Sequence, residues 1–287
     1  MKKYLILTLL LLFIPRISPQ SFEIHKFGIR EGLSIELTKS IVQDTFGFIW
    51  IATDEGVSRF DGYNFTSFNK IPEISFAKQI IKLRDGRLIL ISDLAVFEIK
   101  PALDTAYIKM LIRGDREQKP GYIWFPKSVF EAKDGALYFS EGNAVVRYKN
   151  GRLKRFLLAD SEISFDFFRA HHFTELESGE LLLITYSGGF YRFDNKADNF
   201  KKILKPANLN NLAAVEYLGN GRFLLGTNKG IHDITLKRKK NKEQNYEISS
   251  SKLFFENQSI SDLIVFKERL VFSTWEKGLF SIDTTGG

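Results

Sequence analysis

The sequence predicts an all-β fold, a β-propeller of four-stranded antiparallel blades, from three observations. First, a unit made of an apolar strand, a turn and a second apolar strand occurs six times along the chain. Second, the turn glycines of the first five copies are 39, 49, 44 and 42 residues apart, and Glu268 takes the sixth place after 47 more. Third, this period leaves no room for long helices. One such unit cannot bury both faces of its sheet, so the units must stack around an axis.

The first copy is the clearest and contains all four strands of a blade. We predict strands A, B, C and D at residues 40–44, 48–53, 56–61 and 64–69. β-branched and aromatic residues, which favour strands, fill strand B. Gly47 and Gly56 mark the chain reversals on either side of it. The apolar strand residues Trp50 and Trp124 are predicted to pack in the core between blades.

The later copies are weaker but follow the same order. The predicted blade repeats are residues 40–69, 78–112, 127–158, 171–204, 213–250 and 260–287. The last copy shows strands A, B and C, and residues 21–27 resemble strand D of the first copy. This segment could therefore complete the last blade and remove an exposed sheet edge. The propeller domain is predicted to span residues 21–287, either as a six-bladed ring or as part of a larger propeller.

The amino terminus predicts export. Lys2 and Lys3 precede an apolar run from Tyr4 to Ile14, which Pro15 ends. Such a run is too short to span a bilayer and is typical of a secretory signal peptide. We predict a signal peptide at residues 1–20, with cleavage near Gln20 and a periplasmic or otherwise exported product. No later run is long enough for a membrane helix, so no membrane span is expected in this chain.

The composition excludes several kinds of site. The chain has no cysteine, so disulfides, thiolate metal sites and cysteine nucleophiles are excluded. The net charge of +7 is concentrated in the signal peptide and in the run 237–242, between strands C and D of the fifth copy. A nucleic-acid-binding protein spreads its basic residues over a face, so no nucleic acid is expected as a partner. The run is either a solvated loop or a contact with an anionic polymer or membrane surface.

The first copy also resembles a known family. Gly32-Leu33-Ser34, Val42-Gln43-Asp44, the run from Gly47 to Val57 and Arg59-Phe60-Asp61-Gly62 are similar to the two-component regulator propeller repeat. The resemblance is specific over residues 22–69 and weaker over the later copies. It implies the exported sensor portion of a bacterial hybrid two-component histidine kinase. Sensors of that family carry further blades, an immunoglobulin-like domain, a membrane helix and kinase domains, and they act as homodimers.

Candidate ligand-binding residues follow from the blade alignment. In a propeller, the loops before strand A and after strand B open on one face, around the channel mouth. The candidates at these two positions are Lys39, Asp54, Lys78, Asp93, His171, Tyr186, Asn228 and Trp275. Glu141 occupies the acid position of the third copy, beside Lys127. The lysines and acids either contact a ligand or form surface salt bridges, and the aromatic residues either stack on sugar rings or pack between blades.

No catalytic signature appears in the sequence, and neither a catalytic residue nor a metal ligand nor a cofactor is assigned. His171 and His172 are adjacent on a strand, so their side chains point to opposite faces and cannot readily share a metal ion. We therefore predict a non-enzymatic sensor domain that binds a small molecule or oligosaccharide, such as a glycan fragment. One alternative is a propeller lyase that uses His171 and Tyr186 on a polysaccharide or small molecule. Another is an exported protein-interaction scaffold.

Overall fold

A computed structural model describes residues 25–158, 170–239 and 246–283 of the 287-residue chain. The described residues form six small antiparallel sheets, each with its strands in chain order. Each sheet is one blade of a β-propeller, as the sequence predicts. Apart from a single 3₁₀ turn at Ile29–Glu31, the regular elements of these described ranges are all strands.

The blades follow one another along the chain. Blade 1 consists of β1 (Thr38–Gln43), β2 (Ile49–Thr53), β3 (Gly56–Phe60) and β4 (Phe65–Ser67), and blade 2 of β5 (Gln79–Lys82), β6 (Leu88–Ile91), β7 (Ala95–Pro101) and β8 (Ala106–Arg113). Blade 3 consists of β9 (Ser128–Glu131), β10 (Leu137–Glu141), β11 (Ala144–Lys149) and β12 (Arg152–Leu157). Blade 4 consists of β13 (His172–Glu175), β14 (Leu181–Ile184), β15 (Phe190–Asp194) and β16 (Asn199–Leu204). Blade 5 consists of β17 (Ala214–Gly219), β18 (Arg222–Thr227), β19 (Gly230–Arg238) and β20 (Tyr246–Phe254). The described strands of blade 6 are β21 (Ile260–Phe266), β22 (Arg269–Thr274) and β23 (Gly278–Asp283).

Turn residues set the register within each blade. In blade 1, Gln43 pairs with Ile49 across the first turn and Thr53 pairs with Gly56 across the second. Gly56 has a φ of 118°, which L side chains rarely adopt, and a Cβ there would lie 3.1 Å from Ile74. Only glycine therefore fits this turn without strain.

A threonine hydroxyl group closes the second turn of blades 1, 5 and 6. Thr53 ends strand B of blade 1 and is buried, and its Oγ1 accepts a hydrogen bond from the Glu55 N–H. Thr227 does the same for the Lys229 N–H in blade 5. Thr274 does so for the Lys277 N–H in blade 6. These bonds satisfy backbone donors that the tight turn leaves without a ladder partner.

The core lies between consecutive blades. We call the face of a blade that is turned towards the next blade in the chain its forward face, and the opposite face its rear face. Trp50, Ala52 and Val57 on the forward face of blade 1 pack with Ile80 and Leu90 on the rear face of blade 2. Four similar apolar clusters join blades 2 to 3, 3 to 4, 4 to 5 and 5 to 6.

The two tryptophans predicted to lie in the core differ. Trp50 is fully buried, as predicted, and its Nε1 donates to Asp44 Oδ2 at 2.8 Å. Trp124 is only half-buried and lies in the loop before β9, not on a strand. Its indole Nε1 donates to the Arg116 carbonyl at 3.0 Å, so this residue orders a loop. The prediction for Trp124 was wrong because an apolar run before a strand was assigned to the strand itself.

The segment before β1 lies on the rear face of blade 1. The Phe27 ring is 4.7 Å from the Phe60 ring, and Leu33 is buried. Residues 25–27 form no strand, and the rest of the predicted closing segment 21–27 lies outside the described residues, as does the predicted signal peptide. Closure of the last blade by this segment stays a prediction. Within the described ranges, no helix has the length and apolar character needed to cross a membrane.

Candidate functional site

The candidate site is the mouth face, which we define as the loops before each strand A together with the turns after each strand B. Because neighbouring strands in a blade are antiparallel, these two kinds of connection lie at the same end of every blade. Seven of the eight candidate residues from the sequence occupy these connections, and Lys39 is the second residue of β1, at the same end of blade 1.

Backbone hydrogen bonds across the mouth face tie consecutive blades together. The Phe76 N–H donates to the Asp54 carbonyl at 2.7 Å, which joins the loop before blade 2 to a turn of blade 1. The Phe125 N–H donates to the Asp93 carbonyl at 3.0 Å, and the Leu212 N–H donates to the Tyr186 carbonyl at 2.9 Å. The backbone of the residue after strand B therefore has a structural role. The side chain of that residue takes no part in these bonds and can differ between blades.

Blades 1 and 2 each carry an ion pair on the mouth face. Lys39 Nζ lies 2.5 Å from Asp54 Oδ1, and Lys78 Nζ lies 2.7 Å from Asp93 Oδ1. All four side chains retain partial exposure, so water can reach them. Partly exposed pairs of this kind add little to stability, which leaves their charges open to another partner.

Blade 3 departs from this arrangement. Glu141 is fully buried, and its carboxylate accepts hydrogen bonds from Arg155 Nε at 2.8 Å and from the Trp124 N–H at 2.7 Å. Arg155 also donates to the Lys119 and Tyr122 carbonyls. Arg155 lies on β12 of the same blade, and the loop before β9 bonds to both side chains of this pair. The ion pair of Glu141 with Arg155 fixes the loop 114–124. The predicted pairing of Glu141 with Lys127 stays a prediction.

His171 and Tyr186 lie together in the interior beside the mouth. Both are buried, and their rings stack with centroids 5.5 Å apart and planes 7° from parallel. His171 Nε2 donates to the Gly142 carbonyl at 2.8 Å, which links blade 4 to a turn of blade 3. Burial lowers the pKa of His171 to about 4, although the bond to Gly142 opposes that shift. The imidazole is therefore neutral near pH 7, and neither ring is exposed at the mouth.

Asn228 and Trp275 are exposed at the turns of blades 5 and 6. The Trp275 side chain is 77% exposed, and its backbone N–H donates to the Ser259 carbonyl at 3.1 Å. A tryptophan held by its backbone and exposed to water is a suitable surface for stacking. The eight candidates thus divide into two ion pairs, one buried ring pair and two exposed residues.

Two mouth residues were missed in the sequence. Phe76 and Phe125 both lie two residues before a mouth lysine and have positive φ angles of 56° and 43°. Such a conformation is rare for an aromatic residue and is held here by the bonds to Asp54 and Asp93. Phe76 is exposed, at the position where blade 1 has the exposed Leu37. The repeated apolar residue at this aligned position was the available signal.

A cavity lies away from these residues, over blade 3. It has a volume of about 500 Å³ and is lined by residues that include Gln118, Tyr122, Lys154 and Arg155. The Arg155 guanidinium on its wall is already bonded to Glu141. In the part of the chain that the structure describes, no three His, Asp or Glu side chains are grouped as metal ligands.

Residues 237–239 of the basic run lie within the described residues. Arg238 Nη2 lies 2.5 Å from Glu180 Oε2, and Lys239 Nζ lies 4.0 Å from Glu247 Oε2. Residues 240–242 lie outside the described ranges. Two charges of the run, Arg238 and Lys239, thus have acidic partners within the propeller.

Comparison with solved structures finds proteins of the same fold. The extracellular domain of a hybrid two component system from B. thetaiotaomicron matches with a TM-score of 0.65 and 18% identity over 92% of this chain. This chain spans 36% of the length of that domain. The sequence resemblance to sensors of this kind is thus confirmed at the level of the fold.

Other structures share the fold at similar scores. Virginiamycin B lyase from Staphylococcus aureus matches with a TM-score of 0.60 and 12% identity, over 86% of this chain and 84% of that one. YCF48 bound to a D1 peptide matches with a TM-score of 0.60 and 14% identity, over 93% and 84%. No protein-family profile matches the sequence, and no curated protein is significantly similar.

Proposed function

We propose that this chain is the extracytoplasmic ligand-sensing propeller of a two-component regulatory system and that it binds a glycan fragment at the mouth face. The observation that supports the ligand class is the combination of exposed rings and partly exposed ion pairs on one face. Phe76 and Trp275 offer flat apolar surfaces. The pairs Lys39–Asp54 and Lys78–Asp93 offer donors and acceptors for sugar hydroxyl groups. The similar sensor domain from B. thetaiotaomicron supports the signalling role.

An oligosaccharide array followed by calorimetric titration tests this proposal. We expect a glycan hit whose affinity falls about tenfold or more in Trp275→Ala and Asp93→Asn, because each change removes one contact of roughly 1.4 kcal/mol or more. Tyr107→Ala, an exposed tyrosine on the outer strand of blade 2, is the matched control and should leave affinity unchanged. A flat array with folded protein, or a hit that both mouth variants bind normally, contradicts the glycan proposal.

Export belongs to the same proposal, with residues 1–20 as the signal peptide. Alkaline phosphatase folds only in an oxidising compartment, so its activity reports export to the periplasm. A fusion of residues 1–20 to this enzyme should be active, and a fusion of residues 21–60 should not. Equal activity from the two fusions contradicts the signal-peptide assignment.

A lyase activity is the second candidate, because a lyase shares the fold and because His171 lies against Tyr186. Burial and a lowered pKa leave His171 neutral, as a general base requires, but no solvent-exposed face of either ring is available to a substrate. Polysaccharide turnover that disappears in His171→Gln and Tyr186→Phe would favour the lyase. Absence of turnover, or turnover that survives both changes, removes these residues as catalysts. The scaffold alternative stays a prediction.

A further inference from the structure

The outer hairpin of blade 3, formed by β11 and β12, carries two pairs of like charges on one face. Arg147 is directly opposite Lys154 (the inner pair), and Lys149 is directly opposite Arg152 (the turn pair). We call these four residues the cation tetrad. They lie on the forward face, because Val145, two residues before the arginine of the inner pair, packs towards blade 4. Like charges directly opposite each other destabilise a sheet, so the arrangement needs a reason.

The other blades show that the repeat does not require like charges at these positions. Blades 2 and 5 have opposite charges at the place of the inner pair; these pairs are Glu98–Lys109 and Asp233–Lys252. Blade 4 has Arg192 opposite Lys201, but each of these cations bonds an acid of its own blade. In blade 3 the like-charged pair is followed, two residues further along the hairpin, by a second one.

Two acids serve the four cations of the tetrad. In the turn between β15 and β16, Asp198 Oδ1 lies 2.8 Å from Nη1 of the arginine of the inner pair, and its Oδ2 lies 2.5 Å from Nζ of the lysine. Asp134 Oδ2 lies 2.6 Å from Lys149 Nζ. Within the described ranges, no acidic side chain pairs with Arg152, which is exposed. Both carboxylates are partly exposed and hold their partners weakly, so an incoming anion can replace them.

A cavity of about 660 Å³ is lined by the tetrad together with Asn150 and Leu153. Among the described residues, none of those that line it is acidic. The two-residue turn from Asn150 to Gly151 has positive φ angles of 51° and 75°, as tight hairpins prefer, so a rigid hairpin presents the cations. Residues two apart on a strand are roughly 7 Å apart, which sets the spacing between the inner pair and the turn pair.

We propose that the cation tetrad binds a soluble ligand with two oxyanion groups, which are phosphates, sulfates or carboxylates. Each pair holds one group, because each combines one arginine with one lysine. The guanidinium presents a fork of N–H donors that matches an oxyanion, and the ammonium adds a compact charge. The turn between strands C and D lies at the end of the blade opposite the mouth face. The site is therefore separate from the proposed glycan site.

A soluble ligand suits this surface better than an anionic bilayer does. Binding to a bilayer surface combines charge with apolar side chains that enter the lipid. The tetrad lines a concave surface, and its one apolar neighbour there, Leu153, is itself partly buried. The geometry thus favours a small ligand that enters the cavity.

Calorimetric titration of the purified chain with inorganic tripolyphosphate and with an oligosaccharide carrying two sulfate groups tests the proposal. At least one probe should bind, and which one binds identifies the source of the oxyanions. Lys149→Gln with Arg152→Gln should weaken that binding at least about tenfold, because the turn pair is lost. The matched control is Lys109→Gln with Lys252→Gln, which lowers the net charge equally on strand D of blades 2 and 5 and should not change the affinity. Equal losses in the two double variants, or no binding of either probe, overturn the proposal.

Asp198→Asn gives an effect of the opposite sign. The change frees both cations of the inner pair, so the affinity for the same probe should rise about threefold or more. Trp275→Ala, on the mouth face, should leave this affinity unchanged. Circular dichroism checks that both variants are folded. An affinity that is unchanged or weaker in folded Asp198→Asn, or that falls in Trp275→Ala, overturns the proposal.

Vesicles made of equal parts phosphatidylglycerol and phosphatidylcholine test the bilayer alternative. At physiological ionic strength, the chain should not sediment with them, since exposed charges are then largely screened and the site has no apolar side chain to insert. Sedimentation with the vesicles that Lys149→Gln with Arg152→Gln abolishes, combined with no binding of either soluble probe, would show a membrane contact and overturn the proposal.

Discussion

The environment of an individual residue in this propeller depends mainly on whether a neighbouring blade covers its side chain. Trp50 and Trp275 are both aromatic residues at or just after strand B, yet one is fully buried and the other is 77% exposed. The difference arises because Trp50 lies on strand B and is covered by blade 2, whereas Trp275 lies in the exposed turn after β22. The same reason explains why the sequence could list His171 and Tyr186 as mouth residues but could not predict their burial. Burial depends on packing between repeats, and the local pattern of apolar residues in the sequence does not predict that packing.

Replacing Trp50 with alanine tests the core. The change leaves a large cavity between blades 1 and 2 and an unpaired Asp44 carboxylate oxygen, so we expect a loss of about 3–5 kcal/mol in the free energy of unfolding. Trp275→Ala is the matched control and should change stability by less than about 0.5 kcal/mol. Urea denaturation measures both. Similar losses in the two variants would mean that Trp50 is not in the core.

His171 gives a pH dependence whose sign is determined by its lowered pKa. The unfolded state binds a proton near pH 6.5 and the folded state only near pH 4, so the unfolded state holds more protons between these values. Stability should therefore be fully present above pH 6.5 and should fall as the pH is lowered from 6.5 to 4. His171→Gln keeps a donor for Gly142 and removes the titration. Urea midpoints at several pH values should fall less steeply for the variant, and parallel curves would contradict the assignment.

At the scale of elements, the strands were the predictable part. Observed β2 and β3 begin and end within one residue of the predicted strands, because turn residues with glycine bound two short buried runs. The loops before strand A were not predictable, and Trp124 was misassigned for that reason. The ion pair of Glu141 with Arg155 within blade 3 also lay beyond the sequence, since it is built together with the loop before β9.

Glu180 forms the clearest link between the outer parts of blades 4 and 5. Partial burial opposes its ionisation, but hydrogen bonds from Arg238, Ser178 and Arg192 outweigh that effect and hold its pKa at about 2. The Tyr246 hydroxyl lies 3.2 Å from both carboxylate oxygens. Because the folded-state pKa is lowered, this contribution to stability is present above pH 4.5 and is lost as the pH falls towards 2.

A double-mutant cycle measures this link. We expect Glu180→Gln and Arg238→Gln to show a coupling energy of about 0.5–3 kcal/mol, because the two residues share one network. The exposed pair Lys149–Asp134 is the matched control, with an expected coupling of about 0–1 kcal/mol. Coupling at Glu180 no larger than in the control would show that the cluster does not tie the blades together.

At the scale of the whole molecule, the repeated unit determines both the architecture and the position of the candidate site. Six similar sheets place their strand-A loops and strand-B turns on one face, so residues far apart in the chain gather around one mouth. That placement followed from the repeat alone. Which mouth residues remain exposed did not, because exposure depends on inserted loops and on packing between blades.

The most direct test of the account is hydrogen–deuterium exchange of the folded chain with and without a saturating glycan hit from the array. Ligand binding at the mouth should protect the loops and turns that contain Asp54, Phe76, Asp93 and Trp275, and should leave the turns on the opposite face, around Gly47 and Gly135, unchanged. Protection confined to the outer strands or to the opposite face would contradict a ligand site at the mouth.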